Sequence, residues 1–177
     1  NSMIQQKLQS TIKEVKDFPK QGISFKDITP ILSNPELSLE VVNAFVEELK
    51  DIEVDAIVGV ESRGFLFGMM LANAMQVPFV PVRKAGKLPS DVISEKYNLE
   101  YGTATLELHQ NAIKKDWKVV VHDDLLATGG TAIASSRLVK RLGAEVSAFA
   151  FVVELDFLDA KQKLNSISEN IISLIHY

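Results

Sequence analysis

Two adjacent carboxylates, Asp123 and Asp124, stand between a β-branched apolar run and a loop of small residues that opens a helical pattern. The loop, residues 127–131, reads Ala-Thr-Gly-Gly-Thr. Backbone N–H groups at the start of a helix bind phosphate, and carboxylates accept hydrogen bonds from hydroxyls or contact a hydrated cation. Glycines and threonines alone would also suit an ordinary turn, but two like charges repel each other and contribute nothing to core packing. Segment 119–131 therefore predicts a binding site for a phosphorylated sugar.

Neither of the two common phosphate-loop motifs occurs in this chain. The dinucleotide pattern G-x-G-x-x-G is absent, and so is the nucleotide pattern G-x-x-x-x-G-K-[ST]. Because the loop contains no lysine, we expect it to hold phosphate through its backbone N–H groups and the hydroxyls of Thr128 and Thr131.

A second candidate turn, residues 61–64 (Glu-Ser-Arg-Gly), carries a single arginine. The Arg63 guanidinium can donate two hydrogen bonds to phosphate oxygens, and Gly64 allows the chain to approach a ligand closely. Ser62 followed by Gly64 partly resembles a hydrolase nucleophile elbow, but that motif requires glycine at position 60, where this chain has valine. We therefore interpret this turn as an anion site.

Three cations, Arg83, Lys84 and Lys87, occur within five residues after a predicted strand. A run of charges is often plain solvated surface. Its position at a strand end, in a chain that is acidic overall, favours a role in anion binding.

The elements that must position these residues follow from hydrophobic periodicity. Strands and helices alternate, which predicts an α/β fold with a central, mostly parallel sheet flanked by helices, and ligands in such sheets bind beyond the carboxyl ends of the strands. A long polar segment over 83–102 lacks a clear pattern, and such loops are commonly lids. We predict four helices: one through Ile4, Leu8, Ile12 and Val15, one over 37–49, one over 64–75, and one through Ala134, Leu138 and Leu142 that ends at Gly143. We predict strands at 55–60, 77–82, 105–109, 119–122, 146–153 and 171–175.

Composition excludes several classes of protein. At 177 residues and 46% hydrophobic, the chain is long enough for one domain, 1–177, with a sizeable core. The net charge of −4 argues against a nucleic-acid surface, and the lack of cysteine excludes disulfides and thiolate chemistry. Since no apolar run reaches about 18 residues and no signal pattern is present, we expect no membrane association and a cytoplasmic protein.

Segment 119–131 resembles the phosphoribosyl pyrophosphate (PRPP) signature of the type I phosphoribosyltransferases, and its Leu-Leu-Ala-Thr form is similar to that of the adenine-specific members. Stretches 25–30, 61–68, 83–89 and 99–102 resemble the same family and occur in the family's order. The resemblance implies transfer of the phosphoribosyl group from PRPP to adenine, giving AMP and pyrophosphate. It also implies Mg²⁺, a homodimer, a small N-terminal hood (1–35) that binds the base, and a flexible lid (83–103).

Residue roles are likewise implied by the resemblance. The two aspartates would hold the ribose hydroxyls and help to position Mg²⁺, which is bound mainly through the substrate. The 83–87 cations would meet pyrophosphate, partly from the neighbouring subunit, and Glu100 in the lid would act as general acid or base near the purine. The implied catalytic residues are Glu100 and Arg63. The implied adenine contacts are Ser24, Phe25, Lys26 and Leu125. The implied contacts with PRPP or AMP are Ser62, Arg83, Lys84, Lys87, Asp123, Asp124, Ala127, Thr128, Gly129, Gly130 and Thr131.

Two positions depart from the family pattern. Lys26 replaces the usual arginine, which removes a planar fork and puts its side-chain role in doubt. His122 replaces an aliphatic residue directly before the acidic pair; it either faces the site or faces the sheet, where it would need a hydrogen-bond partner. Phe25 fits a base platform or plain core equally well on composition. We expect structural roles for His109, His122 and His176.

Two other functions stay open at this stage. The chain could be a PRPP-binding regulator without catalysis, although no basic DNA-binding segment is evident. It could also transfer to another purine base, such as hypoxanthine or guanine.

Overall fold

The computed structural model describes residues 2–99 and 102–177, which form nine strands and six helices. The helices are α1 (Ser2–Thr11), α2 (Thr29–Leu32), α3 (Pro35–Leu49), α4 (Gly64–Met75), α5 (Gly130–Arg141) and α6 (Ala160–Leu164). The strands are β1 (Lys13–Lys16), β2 (Ser24–Asp27), β3 (Ala56–Val60), β4 (Phe79–Lys84), β5 (Val92–Leu99), β6 (Gly102–His109), β7 (Lys118–Leu126), β8 (Glu145–Glu154) and β9 (Ile171–His176).

Seven strands form one sheet in the order β5-β6-β4-β3-β7-β8-β9. The pairs from β4 through β9 are parallel, whereas β5 and β6 form an antiparallel edge on β4. The predicted α/β fold with a mostly parallel sheet is therefore confirmed. Because β3 and β7 are central strands, the carboxyl end of one lies beside that of the other.

Helices cover both faces of the sheet, and each face has its own apolar core. Helices α1, α3 and α4 pack on one face, where Phe45, Phe67 and Leu71 are fully buried. Helix α5 and helix α6 pack on the other through Leu138 and Leu164. Burial of β3 on both faces explains its uninterrupted apolar sequence.

Helix α3 illustrates how local sequence signals were sufficient to predict where several elements begin or end. The Asn34 side chain accepts a hydrogen bond from the Leu37 N–H at 3.0 Å, and Pro35 occupies the first turn of the helix. Gly143 has a φ of +83° directly after α5, as expected for a glycine that ends a helix.

Two sequence predictions differ from the structure. The helical spacing predicts Val15 in the first helix, but α1 ends at Thr11 and Val15 lies in β1, where it pairs with Phe25 of β2. The predicted 77–82 strand begins two residues later, at Phe79, because Gln76 ends α4 in the left-handed region with a φ of 57° and Pro78 follows.

The segment predicted as a lid without regular structure, 83–103, is largely a β-hairpin. Strand β5 pairs with β6 along its whole length, from Val92 opposite His109 to Leu99 opposite Gly102. The polar residues of β5 alternate with inward-facing ones, so a strand was concealed in a sequence that looks like a loop. Its mobility stays a prediction.

The N-terminal residues form a small ribbon beside the main sheet. Strands β1 and β2 are antiparallel, and the rings of Phe18 and Phe25 meet edge to face at 5.2 Å. Helix α1 is anchored by buried Ile4 and Leu8 and by an ion pair from Lys7 to Glu40 at 2.8 Å.

Candidate active site

A cavity of about 650 Å³ opens at the carboxyl end of β7, where the strand passes through a glycine loop into α5. Gly129 adopts a φ of +90°, a conformation that favours glycine and turns the chain into the helix. The cavity is lined by Arg63, Tyr97, Asn98, Phe151 and every residue of 123–132. The structure thus places the predicted loop and both aspartates in one concave site.

The two aspartates have different surroundings. Asp124 is 4% exposed, and its Oδ2 lies 3.0 Å from Nε of Arg63. Asp123 is partly exposed to the cavity, and its Oδ1 accepts a hydrogen bond from the Asp124 N–H at 2.8 Å. Burial, followed by the charge of Asp124, raises the pKa of Asp123 well above its ordinary value. Two carboxylates thus share one arginine, which favours a cation or hydroxyl donors as ligand.

The arginine turn contacts the acidic pair directly. A Cβ on Gly64, the first residue of α4, would lie 3.1 Å from Oδ1 of Asp123 and 3.2 Å from the carbonyl oxygen of His122. Glycine therefore allows this close approach, and a larger residue would crowd the end of β7. Ser62, joined to Glu61 by a cis peptide bond, is exposed and does not line the cavity.

Phe25 and Leu125 lie beside the ion pair of Arg63 and Asp124, as an apolar platform for a base would require. The Arg63 guanidinium carbon lies 5.3 Å from the centre of the Phe25 ring, and Leu125 lines the cavity. Lys26 alternates to the other side of β2, where its Nζ lies 3.1 Å from Glu14 and 4.5 Å from the centre of the Tyr177 ring. The Lys26 ammonium therefore contacts Glu14 and Tyr177 instead of lining the cavity.

Lys26 Nζ also donates to the Ser24 hydroxyl at 3.0 Å. Neither Ser24 nor Lys26 lines the cavity. Of the four predicted base contacts, only Leu125 lines the cavity; Phe25 lies against Arg63 at its border, and Ser24 and Lys26 lie outside it.

The predicted pyrophosphate cations lie beside the cavity rather than in its lining. Nε of Arg83 lies 3.2 Å from Oε1 of Glu61, and the same oxygen accepts a hydrogen bond from the Lys84 N–H at 2.7 Å. The side chains of Lys84 and Lys87 are exposed. Glu61 thus fastens the end of β4 to the end of β3.

The β5–β6 hairpin closes one side of the cavity through residues that sequence reasoning missed. A Cβ on Gly130 would lie 3.4 Å from Cδ2 of Tyr97, so the tyrosine ring rests on the start of α5. Burial, with a smaller effect of the Asp123 charge, raises the pKa of Tyr97. Asn98 and Phe151 also line the cavity. The alternation of β5 would have revealed Tyr97 if the segment had been predicted as a strand.

Ion pairs on α5 fasten the same hairpin. Arg141 donates from Nη1 to the Ser94 carbonyl at 2.5 Å and lies 3.3 Å from Oε2 of Glu95. Glu100, the predicted lid carboxylate, lies outside the described residues.

His122 faces the helical layer rather than the site. It is fully buried, its Nδ1 donates to the Ala150 carbonyl at 2.8 Å, and its ring meets Phe45 edge to face at 5.5 Å. Burial lowers its pKa to about 4. Its role is therefore structural, and the neutral ring supplies the hydrogen bond that a histidine in the sheet requires.

These features define an α/β protein with a concave site at the carboxyl edge of its sheet, built from a helix-opening glycine loop and an acidic pair. The model of the phosphoribosyl transferase domain family matches residues 27–174. The chain belongs to this family, and within it to the adenine phosphoribosyltransferases, as its relatives show.

Curated relatives and solved structures agree on this family. The adenine phosphoribosyltransferase of Cytophaga hutchinsonii is 45% identical over 99% of this chain and 97% of its own, and that of Flavobacterium johnsoniae is 51% identical over 89% and 93%. The crystal structure of the enzyme from Rhodothermus marinus superposes with a TM-score of 0.93 at 45% identity over 100% of both chains. The Saccharomyces cerevisiae enzyme, solved with an imino-altritol bisphosphate and adenine, has a TM-score of 0.92 at 42% identity over 98% and 99%.

Among the described residues, none of the helices combines the length and the apolar character needed to cross a membrane.

Proposed function

We propose that this chain transfers the 5-phosphoribosyl group from PRPP to adenine, releasing AMP and pyrophosphate. One observation carries the proposal: a single cavity holds the glycine loop, the aspartate pair and Arg63, with Phe25 beside the arginine. The yeast relative was solved with adenine, the base that this proposal assigns to the Phe25 side of the site.

The reaction replaces the bond from ribose C1′ to pyrophosphate by a bond from C1′ to adenine N9, and the N9 proton is lost. The sugar passes through an oxocarbenium-like transition state, as in glycoside hydrolysis. Loop 127–131 would hold the 5′-phosphate by its N–H groups, while Asp123 and Asp124 would accept hydrogen bonds from the ribose hydroxyls. Holding both reactants in line is the main contribution of such a site.

Arg63 would serve two purposes. Its guanidinium already neutralises Asp124 at 3.0 Å, and it lies against Phe25, between the sugar and base ends of the site. A cation at this position would stabilise negative charge that develops on the leaving pyrophosphate.

We also propose that Mg²⁺ binds with the substrate beside Asp123 and Asp124. The donor set fits the ion, because Mg²⁺ prefers oxygen ligands and is usually bound through one or two carboxylates together with substrate phosphates. Burial, followed by the charge of Asp124, raises the pKa of Asp123, and a cation bound beside the pair would favour its charged form. When bound, Mg²⁺ would neutralise charge on the pyrophosphate group.

The hairpin would act as the lid of this site. Tyr97 and Asn98 already line the cavity, so closure there would exclude water that otherwise hydrolyses PRPP. Glu100 lies two residues after Asn98 in the chain and is proposed as the general acid or base near the purine.

A homodimer is proposed from the exposed face of α4. Leu66, Met69 and Met70 are 40%, 55% and 38% exposed and lie on one side of that helix. A second copy on this face would lie near Arg83, whose guanidinium carbon is 6.0 Å from the centre of the Phe65 ring at the start of α4. Arg83, Lys84 and Lys87, which do not line the cavity of their own chain, would then contribute to the site of the partner subunit.

Light scattering after size-exclusion chromatography tests the dimer. The wild-type chain should elute with twice the monomer mass, and Met69→Glu should shift it towards monomer. The exposed substitution Leu39→Glu on α3, at 55% exposure, is the matched control and should leave the dimer intact. A monomeric wild type would refute the proposal.

The activity is tested by following AMP formation from PRPP with adenine, hypoxanthine or guanine as acceptor. We expect turnover with adenine to exceed turnover with the other bases at least 100-fold. Binding of PRPP without AMP formation would identify a regulator instead, and preference for another base would refute the assignment of adenine.

A further inference from the structure

A second cavity, of about 810 Å³, lies between α5, α6 and the start of β8. It shares no lining residue with the active-site cavity. We refer to it as the α5–α6 groove; its lining includes Ile133, Arg137, Lys140, Val146, Lys163 and Ile167. The proposed reaction leaves this groove without a role.

The groove concentrates positive charge in a chain whose net charge is −4. Lys140 of α5 and Lys163 of α6 both line it, and within the part of the chain that the structure describes neither forms an ion pair. Arg137, which is 59% exposed, reaches Glu95 only at 4.0 Å. The one carboxylate in the lining, Glu145, is already paired with Lys118 at 2.5 Å. Three cations are thus available to an anion.

Apolar side chains form the rest of the lining. Ile133 comes from α5, Val146 from β8 and Ile167 from the segment after α6. A free inorganic anion would use only the cations, whereas a molecule that joins several negative charges to an apolar body would use both parts. Cavities of 300 to 1,000 Å³ typically hold ligands of small-molecule size.

We propose that the α5–α6 groove binds an organic polyphosphate, with its phosphates on Arg137, Lys140 and Lys163 and its apolar body against Ile133, Val146 and Ile167. This site is additional to the proposed transferase site.

Amide NMR spectra of the full chain, titrated with ATP, inorganic triphosphate or adenosine at constant ionic strength without Mg²⁺, test this proposal. We expect saturable shifts at Lys140, Lys163 and Ile167 with ATP, weaker saturable shifts there with triphosphate, and none with adenosine. Shifts in loop 127–131 report the transferase site separately, so failure at one site is distinguishable from failure at the other.

Two variants make the test specific. The double variant K140A/K163A should weaken ATP binding in the groove about tenfold while shifts in loop 127–131 persist, since it removes two charge contacts. K161A is the matched control, because Lys161 is on the same helix but lines a different cavity. It should retain the groove shifts, and AMP formation should be unchanged in both variants.

Three results would overturn the proposal. Shifts confined to 127–131 would show that the groove binds nothing, and equal weakening by K161A and K140A/K163A would show only general charge attraction. Equal affinity for ATP and triphosphate would refute the role of the apolar lining.

Discussion

Replacing Asp123 by asparagine is expected to stabilise the free protein and to slow turnover strongly. The Asp123 carboxylate stands beside the Asp124 carboxylate, and its pKa is raised by burial and by that neighbouring charge. The asparagine side chain would keep the carbonyl oxygen that accepts the Asp124 N–H at 2.8 Å, while the repulsion would be lost. A residue that destabilises its own fold is typical of a functional site.

The expected gain follows from the pKa. When the pKa of a carboxyl group is raised by one, its charged form becomes less favourable by about 1.4 kcal/mol. Arg63 offsets part of the repulsion, but the raised pKa of Asp123 gives the direction of the effect: the free energy of unfolding of D123N at pH 7.5 should be higher than that of the wild type. Loss of one hydroxyl acceptor at the sugar should lower kcat about 100-fold or more.

The pH dependence gives the sign of the effect. The folded protein holds the Asp123 proton to higher pH than the unfolded chain, whose aspartates titrate near about 3.9. Wild-type stability from this residue is therefore lost as pH rises from that value through the raised pKa. The advantage of D123N should be largest at pH 7.5 and shrink towards pH 4, where the folded aspartate is protonated and the unfolded one is about half protonated.

Urea unfolding of both proteins at pH 7.5, 6, 5 and 4, followed by circular dichroism, measures this difference. D124N is the matched control: it removes the same repulsion but leaves Arg63 without the carboxylate 3.0 Å away, so it should be less stable than D123N. If D123N were less stable than wild type at pH 7.5, or if its advantage did not change with pH, the reasoning would be wrong.

Three further changes probe the neighbouring groups. Arg63→Lys keeps the charge but loses the planar contact with Asp124 at 3.0 Å, so kcat/KM should fall about 10- to 100-fold in steady-state assays; a change under twofold would contradict it. Gly130→Val should raise KM for PRPP more than tenfold because its branched methyls meet Tyr97, whereas Gly130→Ala, with a Cβ at 3.4 Å, should not; equal KM values would refute this. His122→Leu should make stability less sensitive to acidification. Because the folded histidine has a pKa of about 4, the wild type should lose up to about 3 kcal/mol of stability between pH 6.5 and 4, and the variant should not. Urea midpoints that fall equally in both proteins over this range would contradict the prediction.

The phosphate loop was predictable because its signals are local. Asp123 and Asp124 lie near the carboxyl end of the buried strand β7, and Gly129 directly precedes α5, so neither element needs knowledge of the rest of the fold. The same holds for α3, which begins at its own Asn34–Pro35 cap. In such segments the nearest neighbours in sequence are also the structural partners.

Prediction failed where a distant partner decides the structure. Val15 follows a helical spacing from Ile12, but β1 exists because it pairs with β2. Strand β5 contains mostly polar residues and gains its structure from pairing with β6 and from contact with α5. Tyr97 could therefore not be recognised as a residue of the cavity.

The contact between Gly64 and the acidic pair is the feature that sequence could not supply and that the site most requires. Each turn was predictable by itself, but their contact depends on β3 and β7 being adjacent parallel strands. That adjacency places the start of α4 against Asp123 so closely that a Cβ would come within 3.1 Å. The same contact brings Arg63 to Asp124 at 3.0 Å, so that the two carboxylates share one cation and the direct ion pair is with Asp124. The topology of the sheet therefore creates the unbalanced negative charge that the proposed Mg²⁺ would neutralise.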